Sequence, residues 1–136
     1  MTTRERGLAA HLDAENAHDL DAIAATFAED AVLTLNGESY RGRRHIRLVH
    51  ERFGFGGTGS FSELRVREVA RHETAKAIVL EEDLSGRHTG TWDDLPATGG
   101  SFAVAVCTVY VFDDAGQLTA ERVYFDQAGL RRQLTG

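Results

Sequence analysis

An aspartate at the end of an apolar stretch is the first residue that could carry chemistry. Asp126 follows RVYF near the C-terminus, and burying an unpaired carboxylate there would be costly. One interpretation places it in an apolar cavity, where a raised pKa would let it take a proton from a carbon flanked by carbonyls. The other makes it the N-cap of a short helix, QAGLRRQL, because aspartate is a favoured cap. The pattern alone favours the cap.

Strand alternation predicts which residues share a face with Asp126. Tyr124 and Arg122 lie in phase with it on the preceding strand. A four-residue DDAG turn would set Asp126 opposite Ala103 and Tyr124 opposite Ala105. Small residues opposite a carboxylate and a tyrosine leave a hollow, so this face is predicted to be a pocket. The other face of the hairpin is then expected to pack in the core or in an interface.

Two histidines are candidates for the same site. His88 follows a strand and either hydrogen-bonds near the cavity or lies exposed in a loop. His50 accompanies the apolar stripe of a predicted helix, and such a residue more often flanks the core than serves a site. The six histidines as a set lack HExxH-like spacing, so no metal site is predicted.

Four aromatic residues are candidate substrate contacts. Tyr124 would donate to a carbonyl oxygen or wall the cavity. Trp92, the only tryptophan, would be a lid over a planar ligand or a plug at the end of the sheet. Phe27 and Phe53 lie on the apolar faces of predicted helices, and they are expected to contribute to the pocket wall.

Composition narrows the class of protein. The chain has 136 residues, 42% of them hydrophobic and 26% charged, which is typical of a single globular domain over 1–136. A net charge of -6 argues against nucleic acid and anionic membranes as partners. No apolar run reaches membrane-spanning length, and the N-terminus does not read as a secretory signal. The single cysteine, Cys107, excludes an internal disulfide, so a reducing cytoplasmic location is expected.

The elements that must position these residues are helices followed by strands. Helices are predicted over 4–17, 20–28 and 42–53, and strands over 31–35, 61–70, 75–86, 101–112 and 117–126. This order indicates an α+β domain. The strand SFAVAVCTVYVF is apolar on both faces, so both must be covered. Because helices can cover one face, a homodimer is expected to cover the other, unless a thick loop does so.

The order of several motifs resembles the SnoaL-like polyketide cyclases of the nuclear-transport-factor-2-like superfamily. These motifs are NAHDLDAIAATFAEDAVL, GRHTG, LPATGG, YFD and QAGLRRQL. The resemblance implies a cone-shaped α+β barrel, with three N-terminal helices packed on a curved, mostly antiparallel sheet around a deep apolar cavity. It also implies a homo-oligomer and chemistry without metal or cofactor. It gives Asp126 the role of acid/base in an intramolecular aldol ring closure, which reverses the preference for a cap.

The sequence therefore predicts a cofactor-free enzyme acting on an apolar or aromatic, carbonyl-bearing small molecule. Asp126 would be the acid/base, with His88 beside it. Two alternatives stay open, because a shared fold does not imply a shared function. One is a protein that binds a hydrophobic ligand without chemistry, and the other is an isomerase or epoxide hydrolase on the same scaffold.

Overall fold

Four helices and six strands make up the chain. A computed structural model describes residues 1–136. The helices are α1 (Thr3–Asn16), α2 (Leu20–Ala25), α3 (Arg43–Phe53) and α4 (Gln127–Thr135), and the strands are β1 (Phe27–Leu35), β2 (Glu38–Arg41), β3 (Phe61–Glu73), β4 (Ile78–His88), β5 (Ser101–Phe112) and β6 (Leu118–Phe125). No helix among them is both long and apolar enough to cross a membrane.

The strands form one curved sheet in the order β2-β1-β6-β5-β4-β3. Every neighbouring pair is antiparallel except β1 and β6, which run parallel. Register shifts interrupt β3 and the turn end of β5, and such bulges bend and twist a strand. The α+β class predicted from the sequence is confirmed.

Local signals explain where the helices begin and what they bury. The side chain of Thr2 accepts a hydrogen bond from the backbone N–H of Glu5 at the start of α1, and Asp19 accepts one from Ala22 at the start of α2. Each helix then turns apolar side chains toward the sheet. The fully buried ones include Leu8, Ile23, Ile46 and Leu130. The core therefore lies between the helices and the concave face of the sheet.

Two predicted boundaries near the first helices are wrong. The helix expected over 20–28 ends at Ala25, where the hydroxyl of Thr26 bonds the carbonyl of Ile23 and closes the last turn. Phe27 therefore begins β1 instead of lying on a helix. The segment 38–41, for which no strand was predicted, is strand β2 and pairs with β1. A four-residue strand has too short a pattern to be distinguished from a turn.

The predicted face of the last hairpin is also wrong. Tyr124 pairs with Cys107 rather than Ala105, because the turn is one residue longer than predicted and the bulge near Phe112 adds a second residue to the shift. A shift of two residues leaves Tyr124 on the same face of the sheet as predicted. The pocket, however, lies on the opposite face, which carries Val123 and Phe125. The concave face carries larger side chains such as Val106, whereas Ala105 and Cys107 lie exposed on the convex face. The concave interior takes the larger side chains because it must be filled.

Candidate functional site

An open cavity lies on the concave side of the sheet. Eleven of its 16 lining residues are hydrophobic. Apolar walls with a few polar groups are typical of small-molecule sites. The remaining lining residues, together with the hydroxyl of Tyr110, make a polar patch in this wall: Glu15, His50, Glu82, Thr108 and Glu121.

Two helices bring two histidines and a glutamate together at this patch. His11 and Glu15 are one turn apart on α1, and His50 is on α3. The Nε2 atoms of His11 and His50 lie 3.5 and 3.6 Å from the same oxygen, Oε2 of Glu15. We call these three residues the histidine–glutamate group. On β6, Glu121 places its Oε1 3.4 Å from Nε2 of His11. All four side chains are buried.

Hydrogen bonds determine the tautomer of both histidines. Nδ1 of His50 lies 2.8 Å from the carbonyl oxygen of Ile46, which can only accept, so this nitrogen carries a hydrogen. Nδ1 of His11 lies 2.9 Å from the hydroxyl of Thr26, whose own hydrogen goes to the carbonyl of Ile23. That hydroxyl must therefore accept from His11. Both Nε2 atoms are left facing Glu15.

Burial and charge oppose each other in this group. Burial lowers the pKa of His11, but the carboxylates of Glu15 and Glu121 outweigh it and raise the pKa to about 9. Burial would raise the pKa of the Glu15 carboxyl, but His11 and His50 hold it below its ordinary range. The pKa of His50 is raised in spite of its burial, chiefly by its interaction with the carboxylate of Glu15. The group therefore favours imidazolium beside carboxylate.

Glu82 has a different environment, farther along the same wall. Its carboxyl accepts hydrogen bonds from the hydroxyls of Thr108 at 2.7 Å and Tyr110 at 3.0 Å. Burial, and then the charge of Glu15, raise its pKa to about 8, although the two hydroxyls pull it down. A carboxyl that exchanges its proton near neutral pH is suited to act as a general acid and base.

Asp126, the predicted base, does not lie in the cavity. Its Oδ1 accepts a hydrogen bond from the backbone N–H of Gly129 at 2.8 Å, and its Oδ2 lies 3.6 Å from the guanidinium of Arg132. Its side chain is 70% exposed. The expected position is therefore corrected: β6 ends at Phe125, and the next residue turns outward to cap α4.

His88 and Trp92 also lie outside the cavity lining. Nδ1 of His88 accepts a hydrogen bond from the backbone N–H of Thr98 at 3.2 Å, and the imidazole is fully buried, so it is not an exposed loop histidine. Its ring packs 5.5 Å from that of Phe61. Trp92 packs against the same phenylalanine at 5.5 Å, which agrees with a plug rather than a lid.

The remaining four candidates lie in three places: in the cavity lining, behind the cavity wall and on the convex face of the sheet. His50 and Phe53 line the cavity, and their contact with a substrate stays a prediction. Phe27 is fully buried behind the wall, with its ring 5.3 Å from that of His11 and 5.8 Å from that of His50. Tyr124 is 45% exposed on the convex face, so its expected place in the pocket is wrong.

Sequence reasoning missed the residues of the polar patch other than His50. A usable signal existed, because Glu82 is in phase with Leu80 and Leu84 on β4, and Glu121 with Val123 on β6. An acidic residue in the apolar phase of a strand must be buried with a partner or beside a cavity.

A protein-family model and several solved structures match this chain. A search of curated protein sequences found no match. A family model described as SnoaL-like polyketide cyclase matches residues 6–134. A structure from Jannaschia sp. CCS1, described as a "putative SnoaL-like polyketide cyclase", superposes with a TM-score of 0.86 at 16% identity, over 98% of this chain and 92% of that one.

Two further structures have the same fold. A "putative polyketide cyclase" from Xanthomonas campestris pv. campestris gives a TM-score of 0.84 at 23% identity, over 98% of this chain and 99% of that one. A protein from Catenulispora acidiphila DSM 44928, described as having a ketosteroid isomerase-like fold and bound to trimethylamine, gives 0.78 at 17% identity, over 95% and 92%. At these identities the structures establish similarity of fold alone.

Proposed function

Because the chain belongs to the SnoaL-like polyketide cyclase family, we propose that it is an enzyme acting on an apolar, carbonyl-bearing small molecule. The reaction would be an aldol-type ring closure or a related proton transfer. One observation supports this above the others: Glu82 lies in the wall of an apolar cavity with a pKa of about 8. This assigns acid/base chemistry to Glu82 in place of Asp126.

In the proposed reaction the Glu82 carboxylate takes the proton from a carbon flanked by carbonyls. The electron pair left on that carbon attacks a second carbonyl carbon of the same substrate and forms the new C–C bond. The oxygen of the second carbonyl becomes an alkoxide, and it takes the proton back from Glu82. The carboxyl thus ends as it began, and no oxidant or reductant is needed.

Neighbouring groups support each stage of this reaction. The hydroxyls of Thr108 and Tyr110 hold the Glu82 carboxyl in one orientation. His50 lines the same cavity, and its raised pKa favours an imidazolium, which stabilises negative charge developing on the substrate oxygens. The apolar walls hold the reacting carbons close together and exclude water, which gives intramolecular reactions much of their advantage.

A chromogenic proton-transfer probe tests the role of Glu82 without knowledge of the natural substrate. Ring opening of 5-nitrobenzisoxazole needs only a base in an apolar site, and its product is coloured. We expect the wild-type chain to catalyse it, and Glu82→Gln to lower the rate by about 10²-fold or more, as expected for loss of a positioned base. Glu81→Gln is the matched control, since that side chain is 57% exposed and pairs with His72.

Ligand binding separates the enzyme from a binding protein. The affinity of each variant for the probe is measured from saturation of the rate or by competition. Glu82→Gln should bind the probe about as well as the wild type, because the glutamine keeps the shape of the wall. A wild-type chain that binds the probe without accelerating its reaction, or a Glu82→Gln variant with undiminished turnover, would rule out the proposed role.

A further inference from the structure

We propose that His11, Glu15 and His50 form a binding site for a divalent transition-metal ion, such as Zn²⁺, in the wall of the cavity. One imidazole nitrogen from each histidine and one carboxylate oxygen would be the ligands. This site goes beyond the acid/base role of Glu82, and its occupancy can be measured without any substrate. The spacing of the histidines along the chain predicted no metal site, because His11 and His50 lie on different helices.

The spacing of the ligand atoms is the first argument. The Nε2 atoms lie 3.5 and 3.6 Å from Oε2 of Glu15, and the three atoms all fall within 4.8 Å of one another. A charge-assisted hydrogen bond would be about 2.7–2.9 Å long, so these distances are too long for one. Ligands about 2.1 Å from a tetrahedral zinc ion are about 3.4 Å apart, which is close to the two distances between the histidines and Glu15.

The orientation of the histidines is the second argument. A metal-binding histidine donates its other ring N–H to a carbonyl or a similar acceptor, which fixes the tautomer. His50 does this to the carbonyl of Ile46, and His11 does it to the hydroxyl of Thr26. Nε2 of His11 is buried and has no hydrogen-bond partner, which is rare for a buried polar atom. Both histidines are thus held in the orientation that metal binding requires.

The charges around the proposed ligands, and their position in the cavity wall, are consistent with a bound cation. In the metal-free chain the imidazoles carry positive charge beside Glu15 and Glu121, and a divalent ion that binds the two Nε2 atoms would displace their protons and supply that positive charge instead. Oε1 of Glu121 lies 3.4 Å from Nε2 of His11, and it too is buried without a partner. Glu15 and His50 line the cavity, so the remaining coordination positions would face it. Three protein ligands and an open position are typical of catalytic zinc sites.

A buried ion-pair cluster is the competing explanation, and calorimetry distinguishes the two. Tag-free chain is treated with a chelator, dialysed and titrated with ZnCl₂ at about pH 8. At this pH protons compete less with zinc for the imidazole nitrogens than at neutral pH. We expect one zinc ion per chain, with at least tenfold weaker binding in both His50→Gln and Glu15→Gln. The controls are His72→Gln and Glu81→Gln, which alter a His–Glu pair on the surface. No saturable binding by the wild type, or equal binding by His50→Gln, would overturn the proposal.

Nitrogen NMR of the wild-type chain keeps the test valid if a variant fails to fold. Zinc should shift the Nε2 resonances of two of the six histidines, His11 and His50, at one equivalent. The Nε2 resonances of the other four histidines should stay in place. Shifts confined to exposed histidines such as His72 would assign the zinc to the surface and refute the site.

Discussion

Replacing Glu82 with glutamine should make the stability of the fold less dependent on pH. Folding raises the pKa of this carboxyl from 4.5 to about 8, first through burial and then through the charge of Glu15. Below pH 4.5 the folded and unfolded chains both hold the proton. Between 4.5 and 8 only the folded chain keeps it, so this residue makes the wild type less stable as the pH rises. Above about pH 8 both chains have lost the proton, and the stability that Glu82 contributed at low pH is gone.

The size of the effect follows from the two pKa values. Each pH unit between them is worth about 1.4 kcal/mol, so the rise from 4.5 to about 8 corresponds to roughly 5 kcal/mol. Glu82 is only 3% exposed, so solvent screens little of this. Glutamine removes the titration and keeps the shape. It can accept from one of the hydroxyls of Thr108 and Tyr110 and donate its amide hydrogen to the other.

The assay is urea unfolding of chelator-treated wild type and Glu82→Gln at a series of pH values from about 4 to 9. The free energy of unfolding of the variant, minus that of the wild type, should increase by several kcal/mol across this range. Glu81→Gln should show no comparable change, since its side chain is exposed. A Glu82→Gln difference that stays constant with pH would refute the reasoning, because it would mean that Glu82 titrates alike in the folded and unfolded chains.

Three further predictions concern other parts of the molecule. Tyr110→Phe removes a hydroxyl that lowers the pKa of Glu82, so the pH–rate profile of the 5-nitrobenzisoxazole reaction should move to higher pH; an unmoved profile would contradict the assignment. Asp126→Ala should lower the free energy of unfolding by about 1 kcal/mol through loss of the α4 cap, with Asp126→Ser restoring most of it and the probe rate unchanged in both. The homodimer expected from the sequence would cover the exposed convex face, so Ala105→Arg should give monomers in sedimentation velocity, whereas Arg131→Ala, in α4, should not.

Local sequence signals determined the class of the fold and much of its element order. The caps at Thr2 and Asp19 and the apolar stripe of α3 depend on neighbouring residues only, so they can be read directly. The same holds for Asp126, whose capping role was the interpretation that the local pattern favoured. The order of motifs along the chain also indicated the family, which the family model confirms over residues 6–134.

Tertiary structure alone decided where the candidate site lies and which residues form it. Alternation along β6 separates Tyr124 from Val123, but it does not say which face is concave. That depends on the curvature of the sheet and on the helices packed against it. His11 and His50 are 39 positions apart, and they meet at Glu15 only because the tertiary structure packs α1 against β3 and β5 and α3 against β1 and β2. The large pKa shifts follow from this burial and proximity, which no spacing in the sequence encodes.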